Sequence, residues 1–353
     1  MEYTEYTASW PLLGLLQLLP FLTGLVLIRL RGKPAILLAL VVSVLEISLA
    51  ATLYLSLQPG QPAGVMQFGE QVQLLGALHY HAAVDGMSVL FVLLTAILGF
   101  LCVFFILFRR QQSTSILAVM LGIQATLMSM FVTVDLLWFA LMSVLELFWV
   151  AYVTKRWPAS DDPSAALVRF LQFMLVSLLL LLIGILILGW NHADQRAGNW
   201  SFSLYHLGKT GMSENLEALV FFLLFYALGI RLPVFPFHGW LPDFLKFGNA
   251  AVAPIYLLGM KVSLYGMLRF VFPLTPQAAW DWHKVAVGFA VAGVFYAALL
   301  ALRQQNLRSL LAFAIVSHTG ILTIGLFSLD PVAMQGSVLL ALNFGLAISG
   351  LLF

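Results

Sequence analysis

The sequence is poor in charge: Asp, Glu, Lys and Arg make up 9% of its 353 residues, against about a quarter in a soluble domain. A water-exposed globular surface is thereby excluded. One cysteine, Cys102, lies inside an apolar run, so no intrachain disulfide forms and no cluster-binding or thiolate metal set is available. No glycine-rich phosphate loop, nucleophile elbow or paired-carboxylate hydrolase pattern is present, so any redox chemistry belongs to other chains. A net charge of +2 spread along the sequence argues against a nucleic-acid partner. The N-terminus bears Glu2 and Glu5 instead of a basic stretch, and its apolar run has no small-residue cleavage site. It reads as a membrane anchor and not a signal peptide.

Apolar residues account for 62% of the chain, and they fall in runs of about 20, the length that crosses a bilayer as a helix. Eleven spans are expected, at about 10–28, 35–57, 87–108, 115–134, 135–154, 166–189, 217–236, 251–272, 285–302, 309–328 and 332–353. The runs lack the alternation of a barrel strand, so the fold class is all-α, a polytopic helical bundle. Basic residues support this count. Arg29, Arg31, Lys33, Arg109, Arg110, Lys155, Arg156, Arg169, Lys246, Arg303 and Arg308 follow odd-numbered spans, whereas Arg196, Lys209, Arg269 and Lys284 follow even ones. By the positive-inside rule the N-terminus is outside. The stretches 58–86 and 191–214 are then outer loops, each too short for a domain. The chain is expected to be one integral membrane domain in the lipid bilayer. Because the sequence ends at Phe353 inside an apolar run, further helices are expected beyond it.

A charge at mid-bilayer costs roughly 2.5–3.5 kcal/mol, so each needs a partner, a wet cavity or a task. Glu146, Arg231, Lys261 and His318 sit within spans, and Glu46 adds a carboxylate in the second. Each could be an inert ion pair or a snorkelling side chain. Carboxylate, lysine and histidine are equally the groups whose protonation burial can tune, and a hydrated row of them passes protons. Pro233, Pro236 and Pro242 remove three backbone donors just after Arg231. The seventh helix is therefore expected to be broken, with His238 and Trp240 lining the break, as at the ion sites of transporters. His79 and His81 form an outer-loop HxH; no metal site is expected there.

These segments resemble the antiporter-like subunits of complex I-type NADH:quinone oxidoreductases, of the chain 4 or subunit M kind. The likeness extends over about 85–353 and rests on VDGMSVLFVLLTAIL, DLLWFALMSVLELFWV, RLPVFPFHGWLPD, KVSLYGMLRF and ALRQQNLRSLLAFAIVSHTG. It implies a fourteen-helix fold with two inverted five-helix repeats and a proton relay through Glu146, Lys261 and His318. The domain blocks would be 1–110, a first repeat over 115–272 and the start of a second over 285–353. Other membrane-arm subunits are the implied partners, with quinone and iron–sulfur clusters held outside this chain, in a bacterial inner membrane or a cyanobacterial thylakoid. Arg231 stands where relatives carry lysine. It cannot release a proton and is assigned a fixed counter-charge. Ala151, Asn306 and Phe344 also depart from the family pattern, replacing its proline, aspartate and histidine, and point to a specialised form such as the cyanobacterial CO2-uptake type. A redox-independent Mrp-type cation/proton antiporter subunit and a transport-inactive scaffold are the alternatives.

Overall fold

The computed structural model describes residues 4–7, 10–58, 60–61, 64–76, 78–108, 114–157, 164–247 and 253–352. Glu2, Arg109, Arg110 and Phe353, used above, lie outside the described residues. Among the described residues, eleven long helices follow the eleven apolar runs. They are α1 (Leu12–Arg29), α2 (Lys33–Ser56), α3 (Gly86–Phe108), α4 (Thr114–Val132), α5 (Leu136–Arg156) and α6 (Ser164–Gln195), then α7 (Glu214–Arg231), α8 (253–274), α9 (Pro276–Leu302), α10 (Leu307–Phe327) and α11 (Pro331–Leu352). Ten have the length and composition to cross a membrane. The exception is α7, whose 18 residues include Glu214, Glu217 and Arg231; its charge, not its geometry, sets it apart. α9 begins nine residues earlier than the apolar run suggested (285 against 276), so Lys284 lies within a helix and not in a loop.

Helices are favoured because in lipid each backbone donor must find its acceptor within the segment. Their faces are sorted by depth in the bundle. Over 115–132, 94% of α4 is buried, and over 257–274, 83% of α8, but only 22% of α9. α4 and α8 therefore form the bundle's centre and α9 its apolar periphery. Small residues permit the closest approaches: a Cβ on Gly320 of α10 would lie 2.9 Å from the Ala290 carbonyl of α9.

Two features depart from the expected outline. Outside the bundle, β1 (Thr4–Thr7), β2 (Val65–Leu75) and β3 (Leu78–Val84) form a sheet in the order β1-β2-β3, where a loop was expected. β1 runs parallel to β2, and β3 antiparallel to it with Gln71 opposite His81. The sheet is tied to the bundle by Glu70, whose carboxylate accepts from the backbone N–H groups of Leu13 (2.7 Å) and Gly14 (2.8 Å) at the start of α1. Those donors have no partner inside the helix, and the helix dipole favours an anion there. The second departure is in α8, which is α-helical over Ala253–Gly266, π-helical over Met267–Val271 and α-helical again over Phe272–Leu274. Pro273 cannot donate to the carbonyl four residues before it, and a π turn absorbs that loss.

Candidate proton-transfer site

The seventh helix ends where the prolines demand. After α7 the chain turns through 232–240 and resumes as the short helix Leu241–Phe247. Pro233 has no N–H for the Gly229 carbonyl, which instead accepts from Val234 (3.0 Å). The freed Ile230 carbonyl is taken by the Trp240 indole N–H at 2.9 Å. Arg169 near the start of α6 forms an ion pair with Asp243 and fixes the short helix. His238 is buried among Phe235, Tyr296 and Phe313, with no hydrogen-bond partner for Nδ1 among the described residues. It packs the break and does not reach the ion pair described next.

At the end of α7, Arg231 meets Glu146 of α5 in an ion pair, each side chain only 10% exposed. Pairing is what permits both charges at this depth. A third element completes the arrangement: a Cβ on Gly259 of α8 would collide with Glu146 Oε1, so glycine leaves the carboxylate its seat. This residue went unnoticed in the sequence, although it stands two positions before Lys261. A cavity of about 40 Å3 adjoins the pair, lined by Ser143, Glu146, Arg231, Trp240 and Gly259 among others. About 10–15 Å3 suffices for one water, and these polar groups supply its partners. Gly259→Ala is expected to displace the carboxylate from Arg231 at an overpacking cost of about 1–3 kcal/mol. Thermal unfolding of the purified protein measures the loss, and a shorter carboxylate in Gly259→Ala/Glu146→Asp should recover part of it.

Lys261 is buried but points elsewhere. Two residues beyond Gly259 is about 200° around the helix, which turns its side chain from Glu146 towards Leu98 of α3, Ile315 of α10 and Phe344 and Ile348 of α11. Its Nζ lies 5.2 Å from the Phe344 ring centroid. His318 of α10 stacks on that same ring at 3.6 Å. The structure thus gathers the candidate residues into two groups, Glu146 with Arg231 and Lys261 with His318, and separates them by the width of α8. Glu46 belongs to neither: in α2 it is 0% exposed, and its carboxylate has no hydrogen-bond partner among the described residues. The HxH is divided as well, since His81 binds Glu5 at 2.7 Å across the sheet. Among the described residues no group of three His, Cys, Asp or Glu is placed to hold a metal.

Arg269 was assigned to a loop, and the structure corrects this. It is 5% exposed within the π turn of α8, where its guanidinium binds Asp85 (2.8 Å), Ser88 Oγ (2.9 Å) and Tyr265 Oη (3.1 Å). Asp85 also accepts from the backbone N–H groups of Met87 and Ser88 and so caps α3. Burial pushes the Asp85 carboxyl up, but the Arg269 charge and the Ser88 hydrogen bonds outweigh it and hold it below the ordinary carboxylate value. A depressed carboxyl contributes stability above its unfolded pKa of about 3.9 and loses it as pH falls through the folded value. Asp85→Asn is expected to lower stability at neutral pH by up to about 2 kcal/mol, moderated by partial exposure of the carboxylate. It should also remove this group's share of acid sensitivity below about pH 4. Unfolding temperature measured against pH tests both.

An α-helical integral membrane protein with a broken helix, a buried ion pair and a water-sized cavity at the break has the build of an ion-translocating protein. The chain belongs to the family described as NADH:quinone oxidoreductase/Mrp antiporter, TM, which matches residues 133–353. It is 31% identical over 322 residues to NADH-quinone oxidoreductase subunit M of Escherichia coli strain K12, covering 86% of this chain and 62% of that protein. It is 30% identical over 352 residues to NAD(P)H-quinone oxidoreductase chain 4 2 of Thermosynechococcus vestitus, covering 98% and 64%. Its fold superposes on a chain of respiratory complex I from Thermus thermophilus with a TM-score of 0.85 and 27% identity, over 96% of this chain and 70% of that one. The chain therefore spans less than two thirds of the length of the two curated relatives.

Proposed function

We propose that this chain is a proton-translocating, antiporter-like membrane-arm subunit of a complex I-type NAD(P)H or ferredoxin:quinone oxidoreductase. The observation that supports this most strongly is the Glu146–Arg231 pair beside the broken helix, with a water-sized cavity against it. The subunit M and chain 4 relatives favour a quinone-reducing assembly over a redox-independent antiporter. In this reading quinone and iron–sulfur clusters reside in neighbouring subunits, and the chain contributes a conduit and no redox centre. Residues 1–110 form the N-terminal helices, 115–272 the first five-helix repeat and 285–353 the opening of the second. The excess of basic residues after odd-numbered spans supports an outer position for the sheet and for the N-terminus.

Glu146 is the titratable member of its pair, because Arg231 holds its proton permanently. A proton reaching Glu146 from the cavity weakens the attraction to Arg231, and its departure restores it, so occupancy of one carboxylate is coupled to one ion pair. Lys261, across α8, is the next group that can take and release a proton, followed by His318. Glu146→Gln in the assembled complex tests the assignment, since the amide keeps an acceptor for Arg231 and loses the charge. Protons moved per electron should fall while the amount of complex stays nearly constant. Loss of assembly with an unchanged ratio in the surviving complex would instead identify an inert structural pair.

A further inference from the structure

We infer that Phe344 is an aromatic plug that keeps the space between Lys261 and His318 dry and interrupts direct proton passage between them. Its phenyl ring is in contact with both groups, stacked on the His318 imidazole at 3.6 Å with 16° between planes and 5.2 Å from Lys261 Nζ. A proton moves between such groups through nitrogen, oxygen or water, and a phenyl ring offers none of these. Room for water is also lacking. The cavity beside Lys261 and Phe344 is about 10 Å3, at the lower limit for one molecule, and apart from Lys261 its walls are apolar: Leu98, Leu257, Ile315 and Ile348. A water there would lack the two to four polar partners it needs. His318 Nε2 accordingly has no hydrogen-bond partner among the described residues.

The contrast with the other side of α8 is a difference of kind. The cavity at Glu146 has about 40 Å3 and three polar side chains, Ser143, Glu146 and Arg231. One end of the candidate path has room and polar partners for water, and the other is closed by a ring. The cation–π attraction of the Lys261 ammonium and the stacking of His318 both hold the ring in place. A small apolar constriction of this sort gates by excluding water, so transfer from Lys261 to His318 requires Phe344 to move aside.

The plug has meaning only within the proton-translocation reading proposed above, and the experiment separates the two. The full-length protein, assembled in its complex, is reconstituted in vesicles containing a pH-sensitive dye, and passive proton entry is followed without substrate under a clamped potential. Phe344→His replaces the ring with one of similar shape that donates and accepts hydrogen bonds, and Phe344→Leu keeps the site apolar. Proton entry several-fold faster than in the parent is expected for Phe344→His, near-parental entry for Phe344→Leu, and a return towards the parental rate in Phe344→His/Lys261→Met. Should Phe344→His assemble poorly, Phe344→Asn serves the same comparison. Parental leak in both polar variants, with turnover-driven translocation still dependent on Lys261, would overturn the plug and leave the path intact. Indifference of both leak and driven translocation to Lys261 would overturn the path itself.

Discussion

Replacing Arg231 by leucine is expected to cost about 3–5 kcal/mol and to remove most of the assembled complex, because Glu146 would be left buried without a counter-charge and would have to bear an unpaired charge or take up a proton. Each side chain of the pair is only 10% exposed, so solvent screening offers little relief. The carboxylate has no room to turn away, since the α8 backbone at Gly259 closes one side. Arg231→Lys is expected to behave differently. The ammonium preserves the positive charge, and relief comes at the cost of the planar guanidinium geometry alone, so assembly should be largely retained. The amount of intact complex recovered from membranes and its unfolding temperature distinguish these outcomes. Equal recovery of Arg231→Leu and the parent would show that Glu146 is not charged in the parent and that the pair is no ion pair.

The seventh-helix break shows what could be read directly from the residues. Three prolines within 233–242 forbid a continuous helix, and the structure places 232–240 in turns. The helix count was equally accessible, because lipid leaves an apolar run of that length few alternatives. The sheet was not. β2 pairs across register shifts between Gln67 and Glu70 and between Gln73 and Leu75, which breaks the alternation that marks a strand. Its other neighbour, β1, lies near the opposite end of the N-terminal segment. Arg269 resembled a loop residue because its apolar run was ending. Its partner Asp85 caps another helix, α3, and only tertiary structure brings the two together. Lys261 illustrates the intermediate case: the angle between it and Gly259 follows from helix geometry, yet which neighbours fill that direction depends on how α3, α10 and α11 pack.

Lys261→Arg is expected to remove this subunit's contribution to proton movement while electron transfer continues, and it bears most directly on the claim that the buried residues form a proton path. Both side chains are cationic and both can lie against the Phe344 ring. They differ in the one property the path requires: lysine can give up its proton, whereas a guanidinium with a pKa above about 12 keeps it. Protons translocated per electron, measured in vesicles holding the intact complex, should therefore fall in Lys261→Arg relative to the parent, with the quinone-reduction rate and the yield of complex maintained. A ratio equal to the parent's would contradict the path, and the Glu146–Arg231 pair would then be a structural element of a subunit that does not translocate protons.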